Sequence, residues 1–259
     1  MAIKTAIEIG FVYFNVSLQV AVKSSDIGFN LLYKKNKQRI KYNKTCEDCP
    51  SKIPAEDIVK GYEFRPNQYV ILDDKDFEKI KASKDKKISI IKFVNLSEID
   101  PIYFDKAYYI SPSGTDKTYK TLQQALNAEN KVGIAKTVFG TKEQIVALRA
   151  VGDELMLFAM HFYEDIVENP VTIKDVPVSK AEVELAKKLI ENMSGEFKAQ
   201  EYTNEYRKRV LSAIEDKIKG QKIKATKERK LPNNVINLMD ALKKSVENTK
   251  KPAKTRKKA

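Results

Sequence analysis

The chain is 259 residues long, enough for one substantial core with appendages but not for several independent domains. Its residues are 42% hydrophobic and 32% charged, and no run of about 18 apolar residues is present, which excludes a helical membrane protein. The net charge of +13 is unevenly spread: residues 217–259 hold fifteen Lys and Arg against three acids, a net of +12, which leaves +1 for residues 1–216. Clustered cations gain free energy by releasing condensed counterions from a polyanion, so the tail points to nucleic acid as partner.

The first residues, Met1 to Glu8, interrupt any apolar stretch with polar side chains and an acid, so export is not expected. Two cysteines, Cys46 and Cys49, are too few for a disulfide framework, and a reducing cytoplasm is the expected location.

Taken in chain order, residues 7–23 place Ile7, Ile9 and Phe11, then Val16, Leu18, Val20 and Val22, at strand-like spacing, so the chain opens with β structure. Further strands are expected at 38–42, 68–72, 87–94, 107–110, 132–139 and 154–162, and this many short strands suggests a barrel or sandwich. Helices are expected from Asp74 to Ile80, Thr118 to Asn127 and Thr141 to Leu148. Beyond Asn169-Pro170 the pattern turns helical. Ser179 and Glu182 form a capping box, Leu185, Leu189 and Met193 make a stripe, and Gly195 is the expected stop. A second helix over 204–219 carries Tyr206, Val210, Ala213, Ile214 and Ile218 on one face and stops at Gly220. After a basic linker, Asn234 is expected to cap an amphipathic segment with Val235, Leu238, Met239 and Leu242 on one face, which needs a partner. Lys250, Lys251, Lys254, Arg256, Lys257 and Lys258 form a tail without an apolar face, expected to stay disordered.

The sequence contains no phosphate-cradling glycine loop, no nucleophile elbow and a single histidine, His161, in a strand-like run. The densest carboxylate group, Asp73, Asp74 and Asp76, is compatible with metal-dependent nuclease chemistry but is better read as a helix N-terminus, where acids are favoured. Cys46 and Cys49 have the two-residue gap of a zinc knuckle. One chain supplies only half of a four-thiolate site, and Glu47 and Asp48 between the thiols disfavour their ionisation. No cofactor is therefore expected, with zinc at Cys46 and Cys49 as the alternative to a plain turn.

The strongest basic feature outside the tail is the run from Lys34 to Lys44, with Lys34, Lys35, Lys37, Arg39, Lys41 and Lys44 and no acid. It reads as a hairpin. Such a ribbon can hold a duplex backbone without reading bases, or can simply be solvated.

From Cys46 to Phe64 (CEDCPSKIPAEDIVKGYEF) the chain closely resembles the bacterial Ku family. The resemblance continues at 69–79 (YVILDDKDFEK), 98–109 (EIDPIYFDKAYY), 131–136 (KVGIAK), 181–197 (AEVELAKKLIENMSGEF) and 235–244 (VINLMDALKK). It departs at Ile3-Lys4-Thr5, where the family usually has Trp-Lys-Gly, at Asn15 in place of proline, and at His161 and Val167, where arginine is common.

The resemblance implies a mainly β fold with α elements: a Ku-type β-barrel core that dimerises into a ring around duplex DNA, a helical C-terminal arm and the basic tail. The expected division is a core at 1–175, an arm at 176–246 that serves dimer and ligase contacts, and a tail at 247–259. The implied function is non-enzymatic binding of double-stranded DNA ends by a homodimer, with recruitment of the bacterial multidomain ATP-dependent DNA ligase/polymerase in non-homologous end joining. Such a protein is nucleoid-associated and not membrane-bound. Lys34, Lys35, Lys37, Arg39, Lys41 and Lys44 are the leading phosphate contacts, followed by Lys136, Lys142 and Arg149 and then the tail cations. Val235, Leu238, Met239 and Leu242 are the expected partner-binding face. The rivals are a general nucleoid or RNA-binding protein, resting on the tail alone, and a carboxylate-dependent nuclease.

Overall fold

The computed structural model describes residues 2–49, 52–80, 87–140 and 142–223. Seven strands close a barrel in the order β1, β2, β6, β9, β8, β7, β5. The barrel strands are β1 (Ile3–Ile9), β2 (Val12–Val20), β5 (Ile88–Asn95), β6 (Phe104–Pro112), β7 (Lys131–Phe139), β8 (Lys142–Val151) and β9 (Glu154–Met160). A separate hairpin pairs β3 (Lys60–Arg65) with β4 (Gln68–Leu72). The helices are α1 (Asp74–Ile80), α2 (Asp116–Glu129), α3 (Lys180–Met193) and α4 (Glu205–Ile218).

All barrel neighbours are antiparallel except at the closing seam, where β1 and β5 run parallel with Ile7 opposite Ile88 and Glu8 opposite Ser89. Closure removes the open edges that would otherwise pair with other chains. The seam also carries a polar clamp: Lys87 Nζ donates to Glu8 Oε1 at 2.9 Å and Ser89 Oγ to Glu8 Oε2 at 2.7 Å. These two bonds, Lys87 first, hold the Glu8 carboxyl below its ordinary range.

Strand alternation explains the two apolar layers. Ile7, Phe14, Val16, Leu18, Ile88, Ile110, Val146, Leu148, Leu155 and Leu157 point inward and fill the barrel. The opposite faces of β7, β8 and β9 present Val132, Ile134, Ala147 and Met160, packed beneath Leu96, Ile99 and Tyr103 from the β5–β6 connection. Helix α2 lies against β7 and β8. Its Tyr119 is buried, with the hydroxyl donating to the carbonyl of Ile110 (3.0 Å) and accepting from the amide of Leu155 (2.7 Å).

The chain divides into two units, Met1–Glu168 and the residues from Asn169 onward. In the second unit α3 begins with the expected box: the Glu182 amide donates to Ser179 Oγ at 3.2 Å, and the Ser179 amide to Glu182 Oε2 at 2.9 Å. Neither α3 nor α4 has a buried residue, so this unit has no core of its own among its described residues. No helix among the described residues is long and apolar enough to cross a membrane.

Several local expectations are corrected. The helix expected from Thr141 to Leu148 is strand β8, because Lys142–Val151 pairs along its length with β7 on one side and β9 on the other. That ladder outweighs the helical preference of Glu143, Gln144, Ala147 and Leu148. The strand expected at 38–42 reduces to one bridge, Leu32 to Arg39. Strand β3 was not expected: Gly61 and the three charged residues Lys60, Glu63 and Arg65 dilute its pattern. Helix α3 stops at Ser194 in extended conformation rather than at a left-handed Gly195, whereas Gly220 does adopt positive φ after α4. The segment around Val235, Leu238, Met239 and Leu242 and the tail lie outside the described residues.

Candidate nucleic-acid interface

The stretch between β2 and α1 forms an arm with little cover. Every residue of β3 and all of β4 except Leu72 are exposed, including Tyr62, Phe64, Tyr69 and Ile71. Phe29, Leu31 and Tyr33 are also exposed. A lone two-stranded hairpin is marginal in water, so an arm with this much apolar surface calls for a partner.

The basic run is part of this arm. The amide of Tyr33 donates to the carbonyl of Gln38 (2.9 Å), Lys37 to Tyr33 (2.7 Å) and Ile40 to Leu31 (3.0 Å), which folds residues 31–40 into a tight reversal. Lys37 takes the left-handed conformation at its tip (φ 57°). In place of the hairpin expected at 34–44, the chain makes a tight turn at 31–40 with one bridge, and Lys41 and Lys44 follow it. Lys34, Lys35, Lys37, Arg39, Lys41 and Lys44 are all exposed, and none makes an ion pair with an acid among the described residues. Arg39 instead donates to Asn30 Oδ1. Cations free of acidic partners remain available to phosphate oxygens.

The barrel cations separate into three environments. Lys136 on β7 is held by Glu143 at 3.0 Å. Lys142 is exposed at the β7–β8 reversal, opposite Phe139. Arg149 shares an outer cleft of about 710 Å³ with Lys106, over an apolar floor that includes Phe104, Ala147 and Phe158. Lys106 was not singled out from the sequence. Nothing local marks it; it lines the same cleft as Arg149 because β9 lies between β6 and β8.

Of the remaining candidates, Asp73 and Asp76 cap each other: the Asp76 amide donates to Asp73 Oδ1 at 2.8 Å and the Asp73 amide to Asp76 Oδ2 at 3.2 Å. Asp74 lies 3.7 Å from Lys60. The acidic group thus starts α1, as expected of a helix N-terminus. No group of three or more His, Cys, Asp or Glu that could hold a metal occurs among the described residues. His161 is exposed just after β9, its amide donating to the carbonyl of Tyr103 at 2.8 Å, and Val167 is exposed as well. Cys46 and Cys49 meet sulfur to sulfur across a turn, with Cα atoms 5.1 Å apart. Oxidised, the pair closes a disulfide, a state that their close spacing alone did not favour.

The fold is that of a known class of barrels: residues 8–185 match the sequence model of the Ku70/Ku80 beta-barrel domain. Curated relatives extend the likeness to almost the full length. The chain is 38% identical to the non-homologous end joining protein Ku of Lachnoclostridium phytofermentans, covering 97% of this chain and 98% of the relative. It is 37% identical to the protein of the same name from Archaeoglobus fulgidus, over 95% and 98% of the two chains, and 33% identical to that of Bacillus subtilis, over 96% and 82%. The chain belongs to the Ku family.

Proposed function

We propose that this protein binds double-stranded DNA ends without sequence preference, as a homodimeric ring, in double-strand-break repair by non-homologous end joining. The observation that carries this reading is the uncovered arm between β2 and α1. It pairs apolar surface that a second copy would bury with six exposed cations that can meet phosphates. A self-complementary arm is what a two-fold dimer requires, and backbone contacts give affinity without base readout.

End selection then follows from topology, since only a duplex with a free end can thread a closed ring. No bond is made or broken, so the protein acts as a clamp and not as an enzyme, without a catalytic cofactor. The helical unit has no core of its own among its described residues and suits docking to another protein. We assign Val235, Leu238, Met239 and Leu242 to contact with the multidomain ATP-dependent ligase/polymerase of end joining. The tail cations, Lys250, Lys251, Lys254, Arg256, Lys257 and Lys258, add unselective, salt-dependent attraction to DNA in the cytoplasmic nucleoid.

The test is competition between linear and covalently closed duplexes of equal length and sequence in a gel-shift assay. Linear DNA is retained and circles are not. Equal retention of circles, or of RNA, overturns the ring in favour of a general basic binder. Magnesium-dependent cutting by the pure protein overturns the non-enzymatic reading.

A further inference from the structure

The arm holds a pair of soft metal ligands that the clamp reading leaves unused. Cys46 and Cys49 are the only cysteines in the chain. They sit on a turn in which the Cys49 amide faces the Cys46 carbonyl at 3.4 Å, and the loop is pinned at its base by the Ile53 amide donating to the Lys44 carbonyl at 2.9 Å. Backbone geometry alone therefore brings both sulfurs to one place. With Zn–S bonds of about 2.3 Å and tetrahedral angles, two thiolates on one zinc ion stand roughly 3.8 Å apart. A Cα separation of 5.1 Å accommodates that after a small side-chain rotation.

A disulfide across this turn would tie the loop only to itself, and would fasten neither the arm to the barrel nor one chain to another. A metal makes different demands. Structural zinc takes four protein ligands, and no group of three or more ligating residues exists among the described residues of one chain. The one histidine, His161, follows β9 in the barrel. The described residues of one chain supply no further pair beside these two, and a second copy supplies an identical pair.

We infer that, in the reduced protein, Cys46 and Cys49 of two chains bind a single zinc ion on the two-fold axis of the dimer, joining the two arms. Four thiolates around one Zn²⁺ carry a net charge of −2. The six cations from Lys34 to Lys44, with Lys52 just beyond, flank that charge in sequence and offset the repulsion from Glu47 and Asp48. Binding displaces one proton from each thiol, four per ion, so metal uptake weakens as pH falls. The inference rests on the homodimer proposed above and adds a ligand set and a stoichiometry.

The experiment uses the untagged full chain purified under reducing conditions, with metal content, cobalt spectrum and mass in solution measured on one preparation. One zinc per two chains is expected, and the cobalt-substituted protein should show the intense sulfur-to-metal charge-transfer bands of a tetrathiolate site. Cys46→Ser and Cys49→Ser should each lose the metal while keeping the thermal transition of the barrel. A dimer with free thiols that takes up neither zinc nor cobalt overturns the zinc site and leaves the dimeric clamp standing. One metal per chain overturns the sharing. A monomer in the presence of zinc overturns both the shared site and the ring.

Discussion

Tyr119 anchors α2 to the barrel through a single hydroxyl, and Tyr119→Phe isolates that atom. The ring is kept, so no cavity forms. The Leu155 amide (2.7 Å) and the Ile110 carbonyl (3.0 Å) each lose their bond to the hydroxyl, at a site where the tyrosine is 6% exposed. Ile110 and Leu155 are directly opposed in the β6–β9 ladder, so both losses fall at one point of the barrel wall. Leaving a buried polar group unsatisfied costs about 1–3 kcal/mol. For about 2 kcal/mol, a unit of this size should melt roughly 4–8 °C lower. Burial also pushes the Tyr119 phenol above its ordinary value, with the Leu155 amide opposing and Glu154 adding to the rise. A group whose folded value is raised stabilises the fold fully below its unfolded value, near pH 10, and that contribution fades as pH climbs through the folded value. The wild-type protein should thus lose stability above about pH 10 more steeply than Tyr119→Phe. Thermal melts monitored by circular dichroism at neutral and alkaline pH read both effects. A variant that melts with the wild type at neutral pH, or keeps the same alkaline slope, would refute the reasoning.

Other perturbations probe the remaining elements. Ser179→Ala should loosen the first turn of α3, seen as faster amide exchange at 180–183 with the barrel melt unchanged. The Glu182 carboxyl is held below its ordinary range, first by the Ser179 amide and then by its hydroxyl. Its contribution is complete above the ordinary glutamate range and is lost as pH falls through the lowered folded value, so acid should fray α3 in the wild type and have less effect in Ser179→Ala. Gly152→Ala forces a side chain into positive φ (57°) with no steric contact, and should destabilise the barrel by about 1 kcal/mol in a denaturant titration. Replacing Lys34, Lys35 and Lys37 by Gln should flatten the salt dependence of DNA binding by about 0.9 in log–log slope per lost phosphate contact, with end preference unchanged. Lys136→Gln should change that slope less, because Glu143 already holds Lys136 at 3.0 Å.

Legibility followed how local each signal was. The box at Ser179 and Glu182 and the acidic start of α1 are settled within four residues, and the sequence reading met the structure there. Strands with a strong β-branched pattern, such as β4 and β7, were placed within a residue of their ends. β8 was misread because KEQIVALRAV combines good helix formers with an apolar spacing that suits either state, and its true state depends on two neighbours distant in sequence. Charge pointed to a basic hairpin at 34–44, whereas the chain reverses at 31–40 with one bridge, a placement that composition does not contain.

By itself the sequence determined the charge asymmetry, the starts of α1, α3 and α4 and the motif strings that mark the Ku family, because each is a property of adjacent or periodically spaced residues. Tertiary structure decided that the sheet closes through a parallel seam between β1 and β5, that β8 is a strand, and that Lys106 and Arg149 share a cleft while Lys136 is paired with Glu143. It also decided that the arm bearing Lys34 to Lys44 stands uncovered. Those outcomes depend on which backbone edges and side chains meet across long separations, and no local window of sequence contains that information.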